Sequence, residues 1–189
     1  NEESYDRVAF RYIQASTGFT KEKIQANIQE AKSIYQDITK NVKIKDVSGE
    51  DMTWVETMCK SERPDIVVLD MGDKFARTGG FARTDEALKA NAIHARMIAK
   101  EHKCAVFYMS QLSADAEGKV LLNQSMMEGS RTGKAAEADL MVLIAKNPPV
   151  SDSEEEDTER HLNVVKNKLT GWHGVVHCNL EYRTARYEV

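Results

Sequence analysis

The sequence is poor in the features that mark secreted, membrane-spanning and zinc-knuckle proteins. Its 189 residues include three cysteines, Cys59, Cys104 and Cys178, which lie far apart and form no CxxC pair or metal-ligand spacing. This number and spacing favour reduced thiols over a disulfide framework. No apolar run approaches the roughly 20 residues of a membrane-spanning helix, and no signal peptide is visible. We therefore expect a cytoplasmic protein without membrane contacts.

The sequence also lacks an excess of charge of one sign. Its 26 Lys and Arg residues stand against 30 Asp and Glu residues, for a net charge of −4. This balance excludes a uniformly basic protein, but one acidic loop can mask a local basic site. Residues 147–160 form such a stretch, and their prolines and acids predict a solvated, flexible loop. The length fits one domain, spanning residues 1–189, with a substantial core.

The clearest positive feature is the stretch from Arg63 to Asp73, in which a short apolar run ends on Asp70. An unbroken run of this length predicts a strand buried on both faces, as in a parallel sheet. A carboxylate at the carboxyl end of such a strand lies where open α/β sheets bind ligands. The pattern alone fits either a Mg²⁺-holding Walker B carboxylate or an aspartate that serves packing or capping.

Strand and helix patterns alternate through the first three-quarters of the chain, and the end is rich in strands. Thr20 is predicted to cap the second helix. Helices are predicted over residues 2–16, 20–35, 48–60, 85–102 and 134–138. Strands are predicted over residues 41–47, 64–70, 104–109, 140–145, 162–168 and 175–180, and near Tyr187. The order predicts an α/β fold with a mostly parallel sheet, covered by helices, and antiparallel C-terminal strands.

Polar residues gather where the predicted strands end. Asp70 ends one strand, Gln111 follows the next, and Lys166 and Lys168 end a later one. If these strands are neighbours, one sheet edge carries a metal carboxylate, an amide and two cations. That set suits nucleoside triphosphate chemistry, in which Mg²⁺ and cations stabilise charge on the transferred phosphoryl group. A surface glutamine and solvated lysines remain the alternative interpretation.

Five segments occur in an order that resembles a known family. They read NEES, PDIVVLD, FYMSQLS, EGSRTGKAAEADLMVLI and VVKNKLTGWHG. In this order they resemble the RecA-like motor domain of DnaB-type, superfamily-four replicative DNA helicases, a group that includes phage primase-helicases. The resemblance implies a RecA-like P-loop NTPase core in a ring hexamer, which uses ATP and Mg²⁺ to translocate on single-stranded DNA. It also implies primase as a further partner and, for a phage-encoded protein, the bacterial host cytoplasm.

The resemblance assigns roles to residues at the strand ends. Glu2 matches the catalytic glutamate that activates water as a general base, with Glu3 as the adjacent alternative. Asp70 matches the Walker B carboxylate that anchors Mg²⁺. Gln111 matches the residue that couples the γ-phosphate to the DNA-binding loops.

Lys166 and Lys168 match a pair that reaches into the nucleotide site of a neighbouring subunit. The family usually has Lys-x-Arg here, with the arginine acting as a finger. Lys168 keeps the charge but lacks the planar fork that binds phosphate oxygens in pairs. The substitution puts its role as a trans-acting finger in question.

The resemblance further implies that residues 74–83 and 114–134 line a central channel for single-stranded DNA. A few phosphate contacts per subunit, repeated around a ring, would suffice for binding despite the negative net charge. Residues 129–131 are the favoured segment. The predicted DNA-binding cations are Lys74, Arg77, Arg83, Lys119, Arg131 and Lys134.

The main departure from the family is the absence of a GxxxxGK[ST] phosphate loop. In the family this loop precedes the catalytic glutamate, so we expect a C-terminal portion of a motor with little ATPase activity alone. Two alternatives stay open, a RecA/RadA-like recombinase and a non-catalytic RecA-like binding module. The Lys-Asn-Lys-Leu-Thr-Gly turn favours the helicase.

The five histidines predict no metal site, because none has an acid or cysteine at a convincing zinc-ligand spacing. They are His94, His102, His161, His173 and His177.

Overall fold

The computed structural model describes residues 4–76, 83–129, 133–148 and 157–189. Four predicted site residues, Glu2, Glu3, Arg77 and Arg131, lie outside these ranges, as does most of the acidic stretch. Within the described ranges, no helix is both long and apolar enough to cross a membrane.

Six helices and six strands are described. The helices are α1 Tyr5–Thr17, α2 Lys21–Ala26, α3 Ile28–Thr39, α4 Met52–Glu62, α5 Thr84–His102 and α6 Gly133–Glu137. The strands are β1 Ile66–Leu69, β2 Ala105–Tyr108, β3 Leu140–Lys146, β4 Glu159–Asn167, β5 Gly174–Glu181 and β6 Arg186–Glu188. Short 3₁₀ turns lie at Gly72–Lys74, Ala114–Ala116 and Gln124–Met126.

The strands form two sheets rather than one mostly parallel sheet. β1 and β2 pair in parallel, and β3, β4, β5 and β6 follow one another as antiparallel neighbours. The α/β class and the antiparallel C-terminal strands are confirmed. The prediction of a mostly parallel sheet is wrong for the described residues, because the β3–β4 pair joins the antiparallel group. A parallel neighbour would need a crossover, usually a helix, between the two strands.

The helices at the beginning of the chain largely follow the predicted pattern. The hydroxyl of Thr20 accepts a hydrogen bond from the Lys23 amide, 3.3 Å away, so the predicted cap of α2 is confirmed. The predicted single helix nevertheless breaks at Asn27, whose φ of −130° and ψ of 51° are not helical. The break leaves Ile28 exposed. The apolar stripe therefore buries only part of its predicted face.

No strand forms over residues 41–47. Val42 is exposed there, so the apolar alternation has no surface to pack against. The Asp46 carboxylate accepts hydrogen bonds from both the amide and the hydroxyl of Ser48. Such a side-chain turn competes with a strand for the same backbone groups.

The main core lies between β1–β2 and the two helices α4 and α5. Met52 and Ile98 are fully buried there. The Asp51 carboxylate begins α4 by accepting hydrogen bonds from the amides of Thr53 and Trp54. Such a cap contributes about 1 kcal/mol to helix stability.

The helices cover only one face of the β1–β2 pair. Ile66 and Val68 are 60% and 58% exposed, and Phe107, the register partner of Val68, is also exposed. The prediction that β1 is buried on both faces is therefore wrong for the described residues. β3 shows the same one-sided pattern, since Leu140, Val142 and Ile144 are exposed and the residues between them are buried.

One ion pair across α4 and α5 gives stability a predictable dependence on pH. Glu56 accepts a hydrogen bond from Lys60 at 2.5 Å, and its other oxygen lies 3.0 Å from His94 Nε2. These contacts, that of Lys60 first, lower the pKa of Glu56 from 4.5 to about 2. A carboxyl with a depressed pKa stabilises the fold above its unfolded value, and this contribution is lost on acidification.

We therefore expect wild-type stability to fall more steeply than that of Glu56→Gln between pH 4.5 and pH 2. Thermal unfolding at stepped pH values measures the difference. Glu117→Gln, on an exposed residue, serves as the control and should follow the wild type. Parallel curves for wild type and Glu56→Gln would contradict the assignment.

Candidate active site

The parallel register of β1 and β2 brings two predicted site residues to one edge. Leu69 pairs with Tyr108, so Asp70 follows β1 and Gln111 follows β2 at the carboxyl ends of neighbouring strands. The prediction that these two strands are neighbours is confirmed. Both residues are exposed. Ligands of open α/β sheets bind at this end.

The turn after Asp70 is held tightly against β2. Met71 has a φ of 53°, in the left-handed region that most side chains avoid. The Gly72 amide donates a hydrogen bond to the Met109 carbonyl at 2.9 Å. A Cβ at Gly72 would lie 2.5 Å from the Tyr108 ring, so this approach requires glycine. The turn consequently carries Asp73 back over the end of β2.

Asp73 is the centre of a largely buried hydrogen-bond network. One of its carboxylate oxygens accepts from the Tyr108 hydroxyl at 3.1 Å. The other accepts from the Ser110 hydroxyl at 2.5 Å and from Lys134 Nζ at 2.8 Å. Lys134 also donates to the Ser110 oxygen at 2.7 Å. Burial, with the nearby Asp73 charge, raises the pKa of Tyr108, which therefore remains a neutral donor.

Lys134 does not occupy the surface position that was predicted for a DNA contact. Its side chain is only 3% exposed, and its ammonium is paired with Asp73. Desolvating a charge is costly unless a partner compensates, and Asp73 and Ser110 supply that compensation here. Lys134 therefore ties α6 to the ends of β1 and β2, a role that does not fit a phosphate contact.

Sequence reasoning missed the network around Asp73. Asp73 lies three residues beyond Asp70, and Ser110 directly precedes Gln111, so both stood next to predicted site residues. The signal for Lys134 was its setting, because it follows a glycine and precedes two alanines. Small neighbours of this kind favour close packing around a side chain.

Asp70 and Asp73 differ in what they are able to bind. Asp73 is occupied by three donors of its own chain. Within the described ranges, no hydrogen bond or ion pair involves the Asp70 carboxylate, and the residue faces solvent. The edge therefore presents one open carboxylate, supported by a second that is held in place.

Lys166 and Lys168 lie on and just after β4, in the antiparallel sheet. Their strand is not hydrogen-bonded to β1 or β2, so the predicted single edge for all four residues is not what the structure shows. Lys166 donates to the carbonyls of Ala135 and Ala136 in α6. Lys168 lies 3.5 Å from the Ala136 carbonyl and 3.4 Å from the Asp139 carboxylate. Helix α6 thus stands between the two groups.

The surroundings of these lysines are electrostatically mixed. Burial, and then the neighbouring charge of Lys168, lower the pKa of Lys166. Burial opposes ionisation of Asp139, but hydrogen bonds from Arg96 and Lys168 outweigh it and lower the Asp139 pKa. Cations at the carbonyl end of a short helix also complement its unsatisfied acceptors.

The other predicted DNA-binding cations that the structure describes are exposed. Lys74 lies in the turn after β1, and Lys119 lies in the segment between β2 and α6. Arg83 forms an ion pair with Asp85, 2.8 Å away, at the start of α5. Their role in DNA binding stays a prediction.

Comparison of the fold with solved structures identifies two similar helicase domains. One is a DnaB-like replicative helicase, studied together with its interactions with primase, and the other is the ATPase domain of a second helicase. Each superposes with a TM-score of 0.83 over 99% of this chain, at 16% sequence identity. The matched region spans 48% of the first protein, about half its length, and 71% of the second.

Searches by sequence add no relative. No protein-family model matches the chain, and no curated protein matches it. The three-dimensional likeness therefore carries the assignment: this chain has the α/β fold of DnaB-type replicative helicase ATPase domains.

Proposed function

We propose that this chain is part of the motor of a DnaB-type replicative DNA helicase, which couples ATP hydrolysis to translocation along single-stranded DNA. The observation that carries the proposal is the pairing of β1 with β2. It puts an open carboxylate, Asp70, and an amide, Gln111, at one edge of a fold shared with helicase ATPase domains.

The residues at this edge fit a magnesium nucleotide. Mg²⁺ prefers oxygen ligands, keeps several waters and takes one or two carboxylates from the protein. Asp70 would hold it, because Asp70 is exposed and has no competing cation among the described residues. When bound, Mg²⁺ neutralises charge on the phosphate oxygens. Lys134 keeps Asp73 out of this role by pairing with it.

The remaining roles follow from the resemblance of the sequence segments. Glu2, or Glu3 beside it, would accept the proton of the attacking water. Gln111 would contact the γ-phosphate and pass its presence to the DNA-binding segments. In a ring hexamer, Lys166 and Lys168 would exchange their contacts with α6 and Asp139 for phosphate oxygens of the adjacent subunit. Primase is a candidate partner of the complete motor.

The exposed apolar faces of the strands support a larger motor core. Ile66, Val68 and Phe107 expose one face of the parallel pair, and β3 exposes alternate apolar residues. Contiguous exposed apolar surface of this kind usually marks a contact surface. We propose that a strand and helix carrying the phosphate loop cover it in the complete RecA-like core.

A comparison of two proteins tests the proposal. The 189-residue chain alone should show no Mg²⁺-dependent ATP turnover above background, because it has no phosphate-loop motif to cradle a triphosphate. The chain expressed with the residues that precede Asn1 in its gene should hydrolyse ATP, with stimulation by single-stranded DNA. Electron micrographs of that protein should show rings.

Each alternative predicts a different outcome of this comparison. Robust turnover by the isolated chain would contradict its predicted inactivity. Filaments on DNA in place of rings would favour a recombinase. Absence of hydrolysis by a longer protein that contains a phosphate loop would favour a non-catalytic binding module.

A further inference from the structure

Two histidines and a glutamate meet on the antiparallel sheet. His161 of β4 and His177 of β5 are direct register partners. Their Nδ1 atoms lie 3.1 Å apart, with the rings nearly perpendicular. A carboxylate oxygen of Glu159 lies 3.5 Å from His177 Nδ1. One ligand atom from each of the three residues lies within 4.8 Å of the others.

The tautomer of His161 is set by Asn147. Nδ2 of Asn147 donates to a Glu159 oxygen at 3.0 Å and lies 3.4 Å from an Asp157 oxygen, which fixes the orientation of the amide. The amide oxygen then lies 2.9 Å from His161 Nε2 and accepts its proton. The lone pair of His161 is therefore on Nδ1, directed towards His177. Metal-binding histidines are commonly oriented by an acceptor on the opposite nitrogen in this way.

We propose that Glu159, His161 and His177 form a binding site for a divalent transition-metal ion of the Zn²⁺ type. Ligands about 2.0–2.1 Å from a tetrahedral zinc ion lie about 3.3 Å from each other, close to the observed separation of the two nitrogens. A set of two imidazoles and one carboxylate suits zinc, nickel or copper better than magnesium or calcium.

Access to the site is one-sided. His161 is buried, whereas the side chains of His177 and Glu159 are 64% and 46% exposed. An ion would reach the site from solvent and keep one or more waters. A hydrogen bond from Asn147, and then the nearby histidines, lower the pKa of Glu159, so its carboxylate is charged at neutral pH.

The proposal goes beyond the nucleotide site and differs from the prediction that the histidines bind no metal. His161 and His177 are 16 residues apart in sequence, which is no recognised ligand spacing. The register of β4 and β5 alone places them opposite each other. The site would brace these two strands independently of the edge that carries Asp70.

Calorimetric titration of the chain with Zn²⁺ tests the site, with Co²⁺ absorption to report nitrogen ligation. Wild type should show one saturable site, and His177→Ala should weaken it by at least about tenfold. Glu159→Gln should weaken it as well. His173→Ala is the matched control, because His173 is exposed just before β5 and lies outside the cluster.

A second cluster makes the outcome discriminating. Glu56, Glu101 and His102 also lie within ligand reach of one another. Zn²⁺ binding that survives His177→Ala, whether or not it is lost in His102→Ala, would overturn the proposal. Absence of saturable binding by the wild type would overturn it too. Circular dichroism of His177→Ala should match the wild type, since the side chain removed is largely exposed.

Discussion

Replacing Lys134 by methionine should lower the free energy of unfolding by about 3–5 kcal/mol, because it leaves the buried Asp73 carboxylate without its cation. The Lys134 and Asp73 side chains are 3% and 15% exposed and lie 2.8 Å apart. Methionine keeps most of the side-chain volume, so the expected loss reflects charge and hydrogen bonding more than packing. Urea unfolding followed by circular dichroism measures it.

A double-mutant cycle separates pairing from general disruption. Adding Asp73→Asn to Lys134→Met should recover part of the lost stability, because the uncompensated charge disappears. A favourable coupling of at least about 1 kcal/mol is expected for groups that share a network. Lys119→Met, at an exposed position, should change stability by no more than about 0.5 kcal/mol. Equal stabilities of Lys134→Met and Lys119→Met would contradict the proposed role of the pair.

Replacing Asp70 by asparagine should reduce Mg²⁺-dependent ATP hydrolysis by about 10²–10³-fold, the usual cost of removing one preorganised electrostatic contact. The measurement uses the protein that includes the sequence preceding Asn1. Stability should not change, because Asp70 is exposed and has no hydrogen bond or ion pair among the described residues. A loss of activity without a loss of stability identifies a contact with the nucleotide.

The neighbouring aspartate supplies the contrast. Asp73→Asn should lower stability, since three donors converge on that carboxylate. Asp6→Asn, in the first turn of α1, should leave activity unchanged. Full activity of Asp70→Asn would exclude Asp70 as the Mg²⁺ ligand. It would direct attention to Asp73 instead.

Much of the local structure was predictable because local signals agreed. The apolar runs that became β1 and β2, and the long stripe that became α5, were predicted within about two residues of their observed bounds. Thr20 capped its helix because the interaction spans only three residues. The adjacency of Asp70 and Gln111 was predictable because consecutive strands of an α/β chain are usually neighbours.

The failed predictions share a dependence on distant partners. Residues 41–47 alternate like a strand, but no partner strand pairs with them among the described residues. β1 was predicted to be buried on both faces, yet α4 and α5 cover one face only. Composition cannot show which faces of a strand receive a helix.

The sequence by itself determined which segments are helices and strands, and that polar groups follow the strand ends. It did so because capping, periodicity and apolar runs act over a few residues. The tertiary structure alone decided that Lys134 is buried against Asp73, 61 residues away, and that His161 faces His177. The reason is physical: burial of a charge and the register of a strand pair are set by whichever groups the folded chain brings opposite each other.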